Sequence, residues 1–252
     1  MVTKIKHWVI RTFFKPAHVG TFMREMYAKK YLPDEVMKKG NISVLDAGCG
    51  KGQYAMFVAD RAPSAHILAV DIQRFSEWTT YRKYPNIDFQ EMDLHNYDEH
   101  EVRDLTVSID VLEHVLDNTK VMAQLCRGLK KGGYLYFAIP CDDTAPHIFP
   151  KKWFGAFHEW EEDEHIGDQL TLQQWRDFIG KQGLVIKKAR YTFTYWGTLA
   201  WEVEFLLRAS AWGRRFNVLL MPFYYLLAQL DIYMPLGKGN NLIVAQKIDS
   251  VG

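Results

Sequence analysis

The stretch VLDAGCGKG, Val44 to Gly52, constrains the fold more than any other part of this 252-residue chain. An apolar run delivers Asp46 near its carboxyl end, Gly48, Gly50 and Gly52 follow at alternate positions, and helix-type sequence begins at Gln53. Glycines admit positive φ and let a ligand approach the backbone, while the helix start beyond them offers free amide N–H donors. A strand, a glycine loop and a helix in this order predict an open α/β sheet with a crevice at the carboxyl ends of its strands.

The rest of the chain to Pro140 repeats the alternation. QYAMFVADRAP reads as a helix stopped by Pro63; HILAVDI, IDFQEMDL and LTVSID read as strands two to four; YLYFAIP, entered through Gly132-Gly133, reads as the fifth. NTKVMAQLCRGLKKGG, ahead of the fifth strand, reads as an amphipathic helix with lysines and glycines at its end, as dipole and C-capping favour. TLQQWRDFIGKQG carries a capping box, Thr171 with Gln174, and LVIKKARYTF and NNLIVAQKI supply strands six and seven. Strands alternating with helices imply a mostly parallel sheet covered on both faces.

The glycine spacing, G-x-G-x-G, departs from the G-x-G-x-x-G of dinucleotide sites, and the acid before it would repel a pyrophosphate. Both features oppose an NAD-dependent oxidoreductase. The acid suits a cationic ligand. Asp71, at the end of the second strand and 19 residues past Gly52, is placed to accept hydrogen bonds from two ribose hydroxyls. The ligand read from these residues is a nucleoside carrying an amino group.

In this combination the sequence resembles the class I S-adenosylmethionine-dependent methyltransferases, in particular the broad small-molecule group with VLDAGCGKG near the start and DVLEHV after the fourth strand. The resemblance covers residues 42–140 closely and the layout to Ile248 more loosely. It implies a Rossmann-like, doubly wound, seven-stranded sheet with an antiparallel last strand, S-adenosyl-L-methionine as cofactor and S-adenosyl-L-homocysteine as product. Carried over residue by residue, Asp46 and the loop Gly48, Cys49, Gly50 and Gly52 hold the methionine part, Asp71 holds the ribose, and Ile72 packs on adenine. Met92 and Asp93 meet the adenine ring, Asp93 receiving its exocyclic amine, and Ile109 and Asp110 lie near the sulfonium.

Methyl transfer from a sulfonium is an in-line displacement in which positive charge disappears, so the enzyme aligns the nucleophile and removes its proton where needed. His114 is the candidate base, because an imidazole pKa of about 6.5 suits proton transfer near neutrality. Glu113 is a second catalytic candidate, to orient His114 or to accept a substrate hydroxyl. Asp110 and Glu113 also have the D-x-x-E spacing of a capping box, which would make them the start of a helix. In FHEWEEDEHIGD, His158, Glu159 and His165 mix imidazoles with carboxylates, but no metal-ligand spacing is present and a solvated acidic loop is expected. Trp153, Phe154, Phe157 and Trp160 are expected to form part of a lid over the acceptor, and Tyr191, Phe193, Tyr195 and Trp196 to supply further wall or ordinary core.

The expected organisation is an N-terminal helical cap over 1–39 and a methyltransferase domain over 40–252, with insertions at 141–169 and 195–239. Ile5, Trp8, Val9 and Phe13 fall on one helical face, and nine Lys or Arg stand against three Asp or Glu from Met1 to Lys39. The alternatives there are a helix packed on the domain or one lying at a membrane interface. FNVLLMPFYYLLAQLDIYMPL, Phe216 to Leu236, approaches the length of a membrane span, about 20 residues, but Pro222, Asn217, Gln229, Asp231 and Pro235 oppose one. It reads as helices buried against the sheet or as a patch touching a bilayer or an apolar substrate. With 31 basic and 30 acidic side chains and no N-P-P-Y motif after the fourth strand, a nucleic-acid substrate is disfavoured. Three widely spaced cysteines suit a reducing, cytoplasmic setting, or the inner face of a membrane.

The expected activity is methylation, at oxygen, of a small-molecule, glycan or lipid-linked acceptor. The competing reading is a non-catalytic, membrane-associated or partner-binding protein on the same fold.

Overall fold

The computed structural model describes residues 18–80, 84–141, 147–155, 157 and 164–248. Seven strands form one sheet: β1 (Ser43–Ala47), β2 (His66–Asp71), β3 (Ile87–Glu91), β4 (Arg103–Ile109), β5 (Leu129–Ile139), β6 (Leu184–Thr192) and β7 (Asn240–Lys247). Their spatial order is 3-2-1-4-5-7-6. The pairs β3–β2, β2–β1, β1–β4 and β4–β5 are parallel, and β7 runs antiparallel to β5, as the family resemblance implies. The order reverses between β1 and β4, so the crevice of this sheet opens at their carboxyl ends. Val44, Leu45 and Ala47 on β1 and Leu105, Val107 and Ile109 on β4 are buried, as strands covered on both faces require.

The helices are α1 (Val19–Tyr31), α2 (Asp34–Met37), α3 (Gln53–Arg61), α4 (Asn118–Gly128), α5 (Leu172–Lys181), α6 (Tyr195–Arg208), α7 (Ala211–Leu219) and α8 (Met221–Tyr233). The box at the start of α5 forms as expected: Thr171 accepts from the Gln174 N–H, and the Gln174 side chain accepts from the Thr171 N–H. One boundary differs from the sequence reading. Helix α4 ends at Gly128, and Leu129 to Gly133 already belong to β5, with a register irregularity opposite Arg103–Leu105. A side chain at 128 would meet the Tyr97 hydroxyl at 2.5 Å, so the helix end is pressed on Tyr97 before the lysines are reached.

The described residues fall into two compact units. One holds 32–141, 164–190 and 241–248, and is centred on the sheet. Its core joins Leu45, Val70, Leu112, Phe137, Trp175 and Ile243. The other holds 18–31, 147–155, 157 and 191–240, with a core of Met23, Tyr27, Ala200, Tyr224, Leu227 and Ile232 on α1, α6 and α8.

Within the helical unit the apolar stretch is broken at Leu220, with Pro222 in the first turn of α8. Thirteen residues of α-helix reach about 20 Å, short of a bilayer core of ~30 Å. No described helix is long and apolar enough to cross a membrane. The lone charge of the stretch, Asp231, is fully buried and accepts from the Thr194 hydroxyl (2.6 Å), the Gly197 N–H (2.9 Å) and the Tyr27 hydroxyl. The opposite face of α7 and α8 is open: Trp212, Phe216, Leu219, Phe223, Leu226 and Tyr233 are all exposed, Trp212 by 78%. The apolar helical face expected of Ile5, Trp8, Val9 and Phe13 lies outside the described residues.

Candidate active site

The glycine loop is folded back over β2, because the N–H groups of Gly48 and Cys49 both donate to the Val70 carbonyl, at 2.9 and 2.8 Å. Gly48 sits at φ +77°, and a Cβ there would lie 2.2 Å from the Val111 side chain, so the loop is pressed against the chain leaving β4. Gly50, at φ +49°, has nothing within 4 Å of where a Cβ would stand. That side of the loop is open. The Gly50 N–H donates to Asp71 Oδ2 at 2.8 Å, and its carbonyl accepts from Trp78 Nε1 at 2.8 Å. Trp78 in turn stacks on Phe89 of β3, ring centroids 5.3 Å apart. Asp71 therefore braces the loop. Sequence reading missed Trp78, which carries no motif and is placed only by the fold.

Asp46 is buried at 3% exposure. The Ala55 N–H at the start of α3 donates to its carboxylate, while Oδ2 has no hydrogen-bond partner among the described residues. Burial first, then the negative charge of Asp71, push its pKa up to about 7, against the pull of the Ala55 N–H. The Cys49 thiol is pushed up as well, by burial and by the same two carboxylates, so it stays neutral. A buried carboxylate short of a partner, beside an open glycine loop, has the chemistry to receive a cation. An aminoacyl sulfonium such as S-adenosylmethionine fits these residues.

The residues expected to meet adenosine follow the carboxyl ends of β2 and β3. Ile72, just past β2, is 65% exposed and offers an apolar plate. Met92 packs against the core, its N–H donating to the Asp71 carbonyl at 2.8 Å. Asp93 Oδ1 accepts from the His95 N–H (2.9 Å) and pairs with His95 Nδ1 (2.8 Å), which lowers the Asp93 pKa and raises that of His95. Both bonds fall on Oδ1, so Oδ2 can still accept from an exocyclic amine.

After β4 the structure departs from the capping-box reading. Asp110 sits at φ +51° with its N–H on the Ala138 carbonyl at 3.0 Å, and the next element is a single 3₁₀ turn, Leu112–His114, whose N-cap Val111 makes no side-chain cap bond. Helix α4 begins only at Asn118, so the D-x-x-E spacing has no helix to cap. Glu113 is instead buried at 2% exposure, next to the partly exposed His114. His114 Nδ1 stands 2.9 Å from the Glu164 carbonyl. A carbonyl only accepts, so Nδ1 carries a proton, and Nε2 stands 3.9 Å from Glu113 Oε1.

Three contacts fasten residues 164–168 to this turn. Besides the Glu164 carbonyl, the Gly167 N–H donates to the Glu113 carbonyl (2.9 Å), and Asn118 Nδ2 bridges the carbonyls of Leu112 (3.1 Å) and Asp168 (3.0 Å). A Cβ on Gly167 would lie 2.4 Å from the Leu112 carbonyl oxygen, so glycine permits the close approach. His165 is thereby brought beside His114, ring centroids 5.2 Å apart.

Of the aromatic residues expected to cover the acceptor, Trp153 is half exposed, but Phe154 is fully buried in the helical unit against Trp201 and Phe205. Glu202 holds that segment by accepting from His147 Nδ1 (2.6 Å) and from the N–H groups of Ile148 and Phe149. Phe193 packs on Tyr27, whereas Tyr195 is exposed. His158, Glu159 and Trp160 lie outside the described residues.

A family model described as a methyltransferase domain matches residues 38–192, more than half of the chain. The chain belongs to the class I S-adenosylmethionine-dependent methyltransferases. Among curated relatives, a protein of Invertebrate iridescent virus 6 named as methyltransferase 235L is 25% identical over 146 residues, 57% of this chain and 52% of its own length. A malonyl-[acyl-carrier protein] O-methyltransferase of Acetivibrio thermocellus is 28% identical over 109 residues, 40% of this chain and 36% of its own. The chain thus spans about half or less of the curated relatives it matches. Among solved structures, phosphoethanolamine N-methyltransferase 2 of Haemonchus contortus, in complex with S-adenosyl-L-methionine, superposes with a TM-score of 0.61 at 15% identity, over 96% of this chain and 60% of that one. At that identity the likeness is one of methyltransferase fold.

Proposed function

We propose that this methyltransferase moves the methyl group of S-adenosylmethionine to an oxygen of a small-molecule, glycan or lipid-linked acceptor. The observation that carries the cofactor half is the buried Asp46 carboxylate, whose Oδ2 waits for a cationic partner beside the open side of Gly50. In this reading Asp46 and the loop from Gly48 to Gly52 take the methionine part, Asp71 the ribose, and Ile72, Met92 and Asp93 the adenine. Ile109 and Asp110 stand by the sulfonium. The choice of oxygen rests on His114, whose imidazole can take a hydroxyl proton as the methyl leaves sulfur, with buried Glu113 beside it. The O-methyltransferase among the relatives supports the same choice.

The test is incubation with methyl-labelled S-adenosylmethionine and fractionated cell extract. Label should enter an alkali- or acid-stable ether or ester in the small-molecule, glycan or lipid fraction; label confined to amines or to protein would sink the oxygen reading. With the labelled acceptor in hand, His114→Ala should lower turnover by roughly 10²–10⁴-fold and leave S-adenosylhomocysteine affinity nearly intact. Unchanged turnover would remove His114 as the base.

The lipid-linked form of this proposal is favoured by the open face of α7 and α8. Trp212, Phe216 and Leu219 recur at i, i+4 and i+7, Phe223, Leu226 and Tyr233 on α8 are exposed as well, and Arg215 and Lys238 are exposed cations of the same stretch of sequence. Exposed apolar side chains accompanied by cations suit the headgroup region of an anionic bilayer, such as the inner face of a cell membrane. The full chain should sediment with vesicles containing anionic lipid, and the triple change of Trp212, Leu219 and Leu226 to Ser should cut the bound fraction at least about tenfold, since each buried apolar side chain is worth roughly 1.5–3 kcal/mol. Equal binding by the variant would reject the face as the contact. The same face favours the second reading, a non-catalytic membrane-associated protein; that reading prevails if vesicles retain the chain while calorimetry finds no S-adenosylhomocysteine binding.

A further inference from the structure

We infer that Glu113, His114 and His165 form a binding site for a divalent transition-metal ion, at the turn after β4. One ligand atom from each of the three lies within 4.8 Å of the others. In a tetrahedral site with metal–ligand bonds of ~2.1 Å, ligand atoms stand about 3.4 Å apart, so binding asks for a contraction of up to about 1.4 Å. Rotamer adjustments of two imidazoles supply that.

Three features separate this cluster from the other imidazole–carboxylate pairs of the chain. Its donor set, two imidazoles and one carboxylate, leaves coordination positions for exogenous oxygen and matches zinc, manganese or ferrous ions better than magnesium or calcium. His114 is oriented as metal-binding imidazoles are, with Nδ1–H on a backbone carbonyl and Nε2 on the side of Glu113 Oε1, 3.9 Å away. The third ligand is preorganised, because residues 164 and 167 on either side of His165 are both hydrogen-bonded to the 3₁₀ turn. By contrast, both nitrogens of His95 are engaged, Nδ1 with Asp93 and Nε2 with the Leu116 carbonyl. Glu202, the partner of His147, already accepts from two backbone N–H groups. Among the described residues, neither of these pairs, nor that of His100 with Asp98, has a third imidazole or carboxylate within ligand reach.

The consequence for chemistry rests on the proposed transfer to oxygen and revises one role in it: an acceptor hydroxyl or carboxylate oxygen would complete the coordination and be held beside the sulfonium, and with the ion bound His114 would act as a ligand while the ion takes over its part in easing loss of the hydroxyl proton. Metal binding itself does not depend on that reading.

The experiment is a titration of the chelator-treated full chain with Co²⁺, read by visible d–d absorption, followed by displacement with Zn²⁺. One equivalent of Co²⁺ should develop the absorption and Zn²⁺ should abolish it. His165→Ala and Glu113→Gln should each weaken Co²⁺ binding at least about tenfold, while S-adenosylhomocysteine calorimetry on His165→Ala stays at the wild-type value and shows that the fold is intact. No stoichiometric absorption in the wild type, or equal Co²⁺ affinity in His165→Ala, overturns the site. Co²⁺ binding in a chain that fails to bind S-adenosylhomocysteine would keep the metal site and reject the cofactor reading, so the two fail separately.

Discussion

Replacing Asp46 by Asn is expected to weaken S-adenosylhomocysteine binding and, above pH 7, to make the ligand-free protein more stable. The carboxylate is buried with a pKa raised from 3.8 to about 7, so the folded chain holds that proton more tightly than the unfolded chain does. The associated stability is fully present below pH 3.8 and is lost as pH rises towards 7, because a charge must then be kept away from water. The interval from 3.8 to about 7 corresponds to a ceiling of about 4 kcal/mol. Asn does not ionise, and its Oδ1 can still accept from the Ala55 N–H. Melting curves of Asp46→Asn and wild type should therefore coincide near pH 4 and separate above pH 7, by about 2–4 °C for each kcal/mol recovered.

Binding should move in the opposite direction. A ligand ammonium paired with ionised Asp46 loses its partner in the variant, and a charge-paired contact of this kind is worth roughly 2–5 kcal/mol when one side is removed, so affinity should fall by at least about thirtyfold. The wild-type protein predicts its own control. Because the cation selects the ionised carboxyl, wild-type affinity should be flat above pH 7 and decline below it, and the variant should lack this slope. Wild-type affinity in Asp46→Asn would displace Asp46 from the methionine site, and an unchanged melting temperature at pH 8 would mean the carboxylate is already compensated.

What the sequence discloses about this chain is what short-range spacing can encode. The strand and helix periodicities, the glycine loop and the Thr171–Gln174 box are all local, and all are present in the fold. The exceptions are local signals overruled by distant partners. The D-x-x-E of Asp110 and Glu113 spells a helix start, yet the turn is claimed by contacts about fifty residues away, at Glu164, Gly167 and Asp168, and the helix waits until Asn118. In the same way, no pattern near Asp71 announces that it braces Gly50, or that Trp78 holds the loop from the other side. His165 appears among the acids of its own segment as a solvated residue; only the close approach at Gly167 sets it against His114. Aromatic residues mislead for a related reason, since Phe154 has the composition of a pocket wall and the burial of a core residue.

Asp231→Ala is expected to unfold the helical unit ahead of the sheet. An acid in the middle of FNVLLMPFYYLLAQLDIYMPL is costly wherever that stretch is buried unless donors surround it, and here the Tyr27 and Thr194 hydroxyls and the Gly197 N–H do so. These donors come from α1 and from the N-terminal turn of α6 with its N-cap, so one carboxyl on α8 joins three helices that lie apart in sequence. The Tyr27 hydroxyl also accepts from the Phe193 N–H at 3.1 Å, which extends the network to the end of β6. Truncation to Ala leaves the donors buried without acceptors, at roughly 1–3 kcal/mol each; allowing for rotation of the two hydroxyls, a net loss of about 3–5 kcal/mol follows. Asp231→Asn keeps one acceptor oxygen and turns an amide towards hydroxyls that can reverse their role, so its loss should be about half as large. Hydrogen exchange is the discriminating measurement. In Asp231→Ala the amides of α1, α6 and α8 should lose protection while those of β1 and β4 keep theirs; uniform loss across both units, or a change below ~1 kcal/mol, would show that the network is not what holds these helices together.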